Sequence, residues 1–378
     1  MHSITNPNPG SSRLRPTHVV AALAASAALS LVACSSSDDS STPTVDTVGT
    51  TEVAGATVVA GTTAPETSPA TSSPDTTVPE TAVGPAAAFA DALIAFQSGG
   101  RIQTVLTDGS SSGFVAPGAP DGQEHPDWSR DGLRIVFDTQ FSRLWTVSAD
   151  GSDLASAFEC VSPCQSLQDG SWSPDGTEIA FVVAESRDGT TTSRSAIVAL
   201  NVATENVRTI YEDTSGMVWL FHPRWSGDGE SIVFEEDTFA SNLLSEGEIT
   251  SMAVAVVPAD GATTPDYVVT LSGPFDGPGS PAPDWSPVDD LIVFSRADNL
   301  FTVRTDGSEE LRLTDFDAVK EHAIQPTFSP DGSAIVFTYV TGQFDVDDSP
   351  TAALIGLDGS RQVAVGGGAA MTHPRLQP

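Results

Sequence analysis

One phrase recurs along the chain and limits what it can fold into. It reads "WSRDGLRIVF" from Trp128, "WSPDGTEIAF" from Trp172 and "WSGDGESIVF" from Trp225. It returns as "WSPVDDLIVF" from Trp285 and "FSPDGSAIVF" from Phe328, always with the aromatic and the closing Phe nine residues apart. Successive copies start 44, 53, 60 and 43 residues apart. A unit of that size holds one small sheet that cannot bury its apolar face alone, so the copies must pack on one another.

Each phrase reads as a strand that ends on the aromatic, a tight turn and a departing strand. Proline presets φ at the first corner, Asp bonds its own backbone, and Gly takes the left-handed position. In the fourth copy Asp289 stands in place of the Gly, and Asp tolerates that conformation. A second hairpin follows, with a "DG" turn in "TVLTDGS" (104–110), "TVSADGS" (146–152), "TVRTDGS" (302–308) and "IGLDGS" (355–360). "VPADGA" (257–262) is a variant, and "LNVATEN" (200–206) lacks the turn pair.

Two fragments complete the count. "ALIAF" (92–96) matches the departing strand with no aromatic phrase before it, and "HPRL" (373–376) matches the arriving strand with nothing after it. Together they make a sixth repeat whose inner strand comes from the C-terminus. The expected fold is all-β, a six-bladed β-propeller anchored by Trp128, Trp172, Trp225, Trp285, Phe328 and Leu376. The phrase resembles the "P-x-W-S-P-D-G…I-x-F" repeat of TolB-type propellers over residues 91–378. The resemblance implies the fold, whereas propellers of one shape host many activities. TolB carries an additional N-terminal domain and works with a peptidoglycan-associated lipoprotein. An anchor and tether stand in place of that domain here, so the TolB role is not implied.

The N-terminal segment reads as an export signal. Arg13, Arg15 and His18 precede the apolar run Val19–Ala33, which is shorter than the ~20 residues of a membrane-spanning helix. The run ends in "LVAC" (31–34), which resembles the bacterial lipobox and implies that Cys34 is lipidated. Residues 35–88 contain no Lys, Arg, Trp or Tyr and read as a disordered Thr/Pro/Ser-rich linker. Its coil reach is about 40 Å. The expected organisation is a lipoprotein signal peptide (1–33), lipidated Cys34 with its linker (34–88), and the propeller (89–378). That places the chain outside the cytoplasm, lipid-anchored to the outer face of the bacterial cell membrane.

The two remaining cysteines, Cys160 and Cys164, form an even pair in an exported chain and are expected to be disulfide-bonded. The net charge of −34 repels nucleic acid and anionic headgroups and favours cations. Nucleic-acid binding is thereby excluded.

In an up-and-down blade of strands A to D, the A–B and C–D turns share one face. Here they are short and stereotyped. The opposite face holds the cysteine pair and the long B–C loops 184–195, 235–251 and 340–352, and variable loops on a rigid scaffold are where function usually sits. Strand A starts from that face, so the residue three before each repeat anchor lies in a ring near the channel mouth. The ring contains His125, Asp169, His222, Ala282, Gln325 and His373, with Glu124, Glu321 and His322 close by. Imidazole and carboxylate together suit a divalent transition metal. The competing reading is that "His-Pro" is a convenient strand entry, with the histidines in alternate blades and too far apart to share one ion.

The acidic runs "DVDD" (345–348) and "DFDAVKE" (315–321) match no complete calcium loop. "GSSSG" (109–113) sits at a hairpin and not on a strand-to-helix elbow. The chain is read as a monomeric, non-catalytic scaffold that binds an envelope protein, peptide or glycan. The alternatives are a channel-mouth hydrolase or lyase, and a ligand-capturing lipoprotein of a transporter or sensor.

Overall fold

The computed structural model describes residues 89, 92–110, 113–186, 191–240, 248–272, 280–317, 321–342, 350–365 and 370–378. Cys34, the signal segment, the linker and "DVDD" lie outside the described residues. These residues form 24 strands and no helix, so no described helix is long and apolar enough to cross a membrane.

Blade 1 holds β1 (Leu93–Ser98), β2 (Arg101–Leu106) and β3 (Gly113–Phe114). Blade 2 is β4 (Gln123–Trp128), β5 (Arg134–Thr139), β6 (Arg143–Ser148) and β7 (Ala155–Glu159). Blade 3 is β8 (Cys164–Trp172), β9 (Glu178–Ser186), β10 (Thr192–Asn201) and β11 (Val207–Asp213). Blade 4 is β12 (Val218–Trp225), β13 (Ser231–Phe239), β14 (Ile249–Pro258) and β15 (Asp266–Ser272). Blade 5 is β16 (Asp284–Trp285), β17 (Ile292–Arg296), β18 (Asn299–Val303) and β19 (Leu311–Arg312). Blade 6 is β20 (Glu321–Phe328), β21 (Ala334–Thr341), β22 (Thr351–Gly356) and β23 (Arg361–Val365). Finally β24 (Thr372–Leu376) returns to blade 1, giving the order β24-β1-β2-β3. It pairs antiparallel with β1, with Leu376 opposite Ile94 and Arg375 opposite Ala95. The six antiparallel sheets make a six-bladed propeller whose ring is closed by the C-terminal strand, as the repeat count implies.

The closing Phe of each phrase explains the period. Phe96, Phe137, Phe181, Phe234, Phe294 and Phe337 are all fully buried, one on the second strand of each blade. The anchors pack beside the inner strands and some tie blade to blade. Trp128 Nε1 donates to Arg375 O (3.1 Å), and Trp225 Nε1 to Ser171 O (3.2 Å).

The turns follow the expected chemistry with one correction. In "SPDG", Ser173 Oγ donates to Asp175 Oδ1 (2.7 Å), which also accepts from Thr177 N, while Gly176 has φ +69°. Asp289 does not take the left-handed conformation expected of it. Val288 occupies the place of the capping Asp, and the Ser286 hydroxyl instead accepts from the N–H groups of Val288 and Asp289. In "LNVATEN" Asn201 does the work of the missing Asp, since its Oδ1 accepts from Ala203 N and Thr204 N. Cys160 and Cys164 are disulfide-bonded at the connection from blade 2 to blade 3.

Candidate functional site: the polar ring at the channel mouth

The inner strands share a local distortion that no periodicity reveals. His125, Asp169, His222, Ala282, Gln325 and His373 all have positive φ, between 41° and 61°. Pairing with the neighbouring strand slips at this level in five blades, between Glu124 and Asp127 in blade 2 and between Gln168 and Ser171 in blade 3, for example. A bulge there re-aims one side chain per blade. A non-glycine residue held left-handed costs about 1 kcal/mol or more. Five of the six are followed by proline and Asp169 by glycine, and proline disfavours the right-handed helical region for the residue before it.

Round the ring, His373, His125, Asp169 and His222 occupy consecutive blades 1 to 4. His125 and His222 do stand in alternate blades, but Asp169 lies between them. His125 Nε2 is 3.6 Å and His222 Nε2 3.9 Å from the same atom, Asp169 Oδ1. That oxygen is buried and accepts no hydrogen bond, while Asp169 Oδ2 accepts from His222 N (3.2 Å). His373 meets His125 edge to face, with ring centroids 4.6 Å apart. Its Nε2 faces the Gln325 amide nitrogen at 2.8 Å, and its Nδ1 is buried without a hydrogen-bond partner.

Each of the two imidazoles flanking Asp169 is backed by an acid. His125 Nδ1 lies 2.8 Å from Asp138 Oδ2, and His222 Nδ1 lies 3.1 Å from Glu235 Oε2. Sequence reasoning missed both acids. The signal was present, because each follows the closing Phe of its phrase, thirteen residues after the ring position. The same place holds Val182, Ser295 and Thr338 in blades whose ring residue is not histidine, and Thr338 Oγ1 bonds Gln325 Oε1 (2.9 Å). These partners also hold the next blade. Asp138 Oδ2 accepts from Asp169 N (3.3 Å), and Glu235 Oε2 from Ala282 N (2.9 Å) and from Ser280 Oγ.

Glu321 and His322 stand apart from these contacts. Glu321 accepts from the Tyr339 hydroxyl. His322 Nδ1 is 3.0 Å from Asp298 Oδ1, and its Nε2 lies 2.9 Å from Gly342 O. Of the acidic run at 315–321, residues 318–320 lie outside the described residues, and Asp315 pairs with Arg312 at 2.8 Å.

Charge is strongly organised here. Burial alone would push His125 down, but Asp169, Asp138 and the bond to Asp138 outweigh it and raise it to about 9. Burial raises Asp138 to about 6 against the pull of His125. Burial also works upward on Asp169, yet His125, His222 and Arg224 hold it well below the usual carboxylate range. His373 is driven well below its ordinary value by burial and then by the charges of His125 and His222. Candidate ligand atoms stand on both sides of the His125 imidazole. Glu124, His125 and Asp138 place ligand atoms within 4.8 Å of one another, and His125 Nε2 and His222 Nε2 each approach Asp169 Oδ1.

No family model and no curated protein sequence matches the chain. Among solved structures it is similar to a TolB-like protein from Agrobacterium tumefaciens, at 19% identity and TM-score 0.50 over 75% of this chain and 91% of that one. It is also similar to a chain of the nidogen/laminin complex, at 8% identity and TM-score 0.54 over 76% of this chain and 98% of that one. An oligogalacturonate lyase in complex with manganese aligns at 14% identity and TM-score 0.43 over 75% of this chain and 72% of that one. The chain has the fold of a TolB-like six-bladed propeller.

Proposed function

We propose that the chain is a membrane-anchored, extracytoplasmic propeller that binds a divalent cation at the channel mouth. With the surrounding loops, that site captures a peptide, glycan or envelope-protein ligand without chemical change. One observation carries the reading: two carboxylate-backed imidazoles aim their Nε2 atoms at one buried, unpartnered carboxylate oxygen. Separations of 3.6 and 3.9 Å are too long for hydrogen bonds. Each lies slightly above the ~3.4 Å span of two ligands held tetrahedrally at about 2.0–2.1 Å, and binding a zinc-like ion also requires the two imidazoles to draw together. Acid behind histidine is the usual support of a ligating imidazole, fixing its tautomer and raising its basicity. Two imidazoles and one carboxylate suit a first-row metal and leave positions open for a ligand.

The test is a thermal-shift titration of the full chain with Zn²⁺, Mn²⁺ and Ca²⁺. Wild type should be stabilised by a transition metal, and His125→Gln with His222→Gln should abolish the shift while keeping the β-sheet circular dichroism. No shift with any of the three ions would end the cation reading. Turnover of a glycan or peptide that disappears in the same variant would favour a hydrolase or lyase.

A further inference from the structure

Two residues further along each inner strand, immediately before the repeat anchor, lies a second ring. In blade order it reads Arg375, Asp127, Ser171, Arg224, Asp284, Thr327, which is basic, acidic, hydroxyl, twice over. It lines a cavity of about 130 Å³ toward the face of the stereotyped turns.

The two arginines are under-used. Arg224 is 4% and Arg375 8% exposed. A guanidinium has five donors, yet Arg224 NH1 bonds only the carbonyl of Pro223 (2.8 Å), and its buried Nε has no partner. Arg375 NH1 likewise reaches the carbonyl of Pro374 (3.3 Å), and its Nε stands 3.5 Å from Asp127 Oδ1, beyond good hydrogen-bond range. The two aspartates are engaged elsewhere. Asp127 Oδ2 accepts from Trp172 N (3.0 Å), and Asp284 Oδ2 from Phe328 N (2.7 Å), each tying its blade to the next. Burial first, and then the like charge of Arg224, brings Arg375 down to about 10. Two buried guanidinium groups therefore face one cavity with donors to spare, in a chain whose net charge is −34. A buried donor without a partner is costly, and a planar or tetrahedral oxyanion is the group guanidinium forks bind best.

We propose that this cavity is a binding site for a small oxyanion, a phosphate or carboxylate group, clamped between Arg224 and Arg375 and separate from the histidine ring. Four of the six tryptophans, Trp128, Trp172, Trp225 and Trp285, line the cavity, so occupancy is readable by fluorescence. The full chain is titrated with iodide, and with caesium as a cationic quencher, at constant ionic strength. Iodide quenching should saturate and be displaced by inorganic phosphate or by acetate and citrate. Displacement by phosphate alone assigns a phosphoryl ligand, and displacement by the carboxylates alone assigns a carboxylate. The Arg224→Lys, Arg375→Lys double variant should lose at least tenfold in apparent affinity for the competing anion, because lysine offers no fork. Should that variant fail to fold, the wild-type competition decides. Iodide quenching that is linear and unaffected by phosphate, acetate or citrate would overturn the proposal. Equal competition in wild type and a folded double variant would overturn it too.

Discussion

Removing residues 372–378 takes the inner strand out of blade 1 and opens the ring. Leu376, 5% exposed, packs in the cluster that holds Ile94 and Phe96, and losing a buried leucine costs ~2–3 kcal/mol. The strand also ends five specific bonds: Gln377 N to Leu93 O, His373 N to Gln325 Oε1, Trp128 Nε1 to Arg375 O, Thr327 Oγ1 to Pro374 O, and Gln377 Nε2 to Gly132 O. At about 1 kcal/mol each they contribute roughly 5 kcal/mol, and more where the buried Trp128 and Thr327 donors lose their acceptors. The combined loss of about 7–8 kcal/mol lies inside the ~5–15 kcal/mol that usually holds a domain together. The unpaired edge of β1 then offers itself to other chains. Thermal melts by circular dichroism, with size-exclusion chromatography, should show the truncated chain aggregated or melting tens of degrees early. Deleting 60–66, seven residues of the linker, should leave the melt unchanged. A C-terminal truncation that melts within a few degrees of wild type would refute the closure argument.

Three further outcomes are expected. In chelator, stability should fall as pH rises from 7 to 10. His125 sits at about 9 against an ordinary 6.5, so its contribution is complete below the unfolded value and lost through the folded one; chemical denaturation should show the decline, and His125→Gln should flatten it. Gly227→Pro, which would restore the repeat consensus, should destabilise the fold by several kcal/mol, because a Cβ at Gly227 would meet Pro287 O at 2.3 Å; a raised melting temperature would contradict this. Cys34→Ser should abolish lipid labelling and move the protein to the aqueous phase of a detergent partition, where wild type should not be found.

The blade count, the ring closure and the positions of the ring were legible because the phrase keeps its register. Nine residues from aromatic to Phe fix an A–B hairpin, and that hairpin fixes which residue starts the inner strand. What the pattern did not carry is the bulge. Once the backbone turns left-handed at His125 or His222, that side chain lies against the residue after the closing Phe, so Asp138 and Glu235 become its partners. Alternation alone gives no reason to single out position 138 or 235. The nearness of His125 to His222 through Asp169 was hidden for a related cause, since distance across a channel depends on strand tilt and closure. Asp289 was misleading in the opposite sense. Consensus suggested a glycine-like corner there, while the Ser286 cap decided the outcome.

The central claim is tested most directly by crystals soaked in zinc and measured at the zinc absorption edge. One anomalous peak is expected about 2.0–2.1 Å from His125 Nε2, His222 Nε2 and Asp169 Oδ1. A peak between Glu124, His125 and Asp138, or no ordered zinc near the ring, would contradict it.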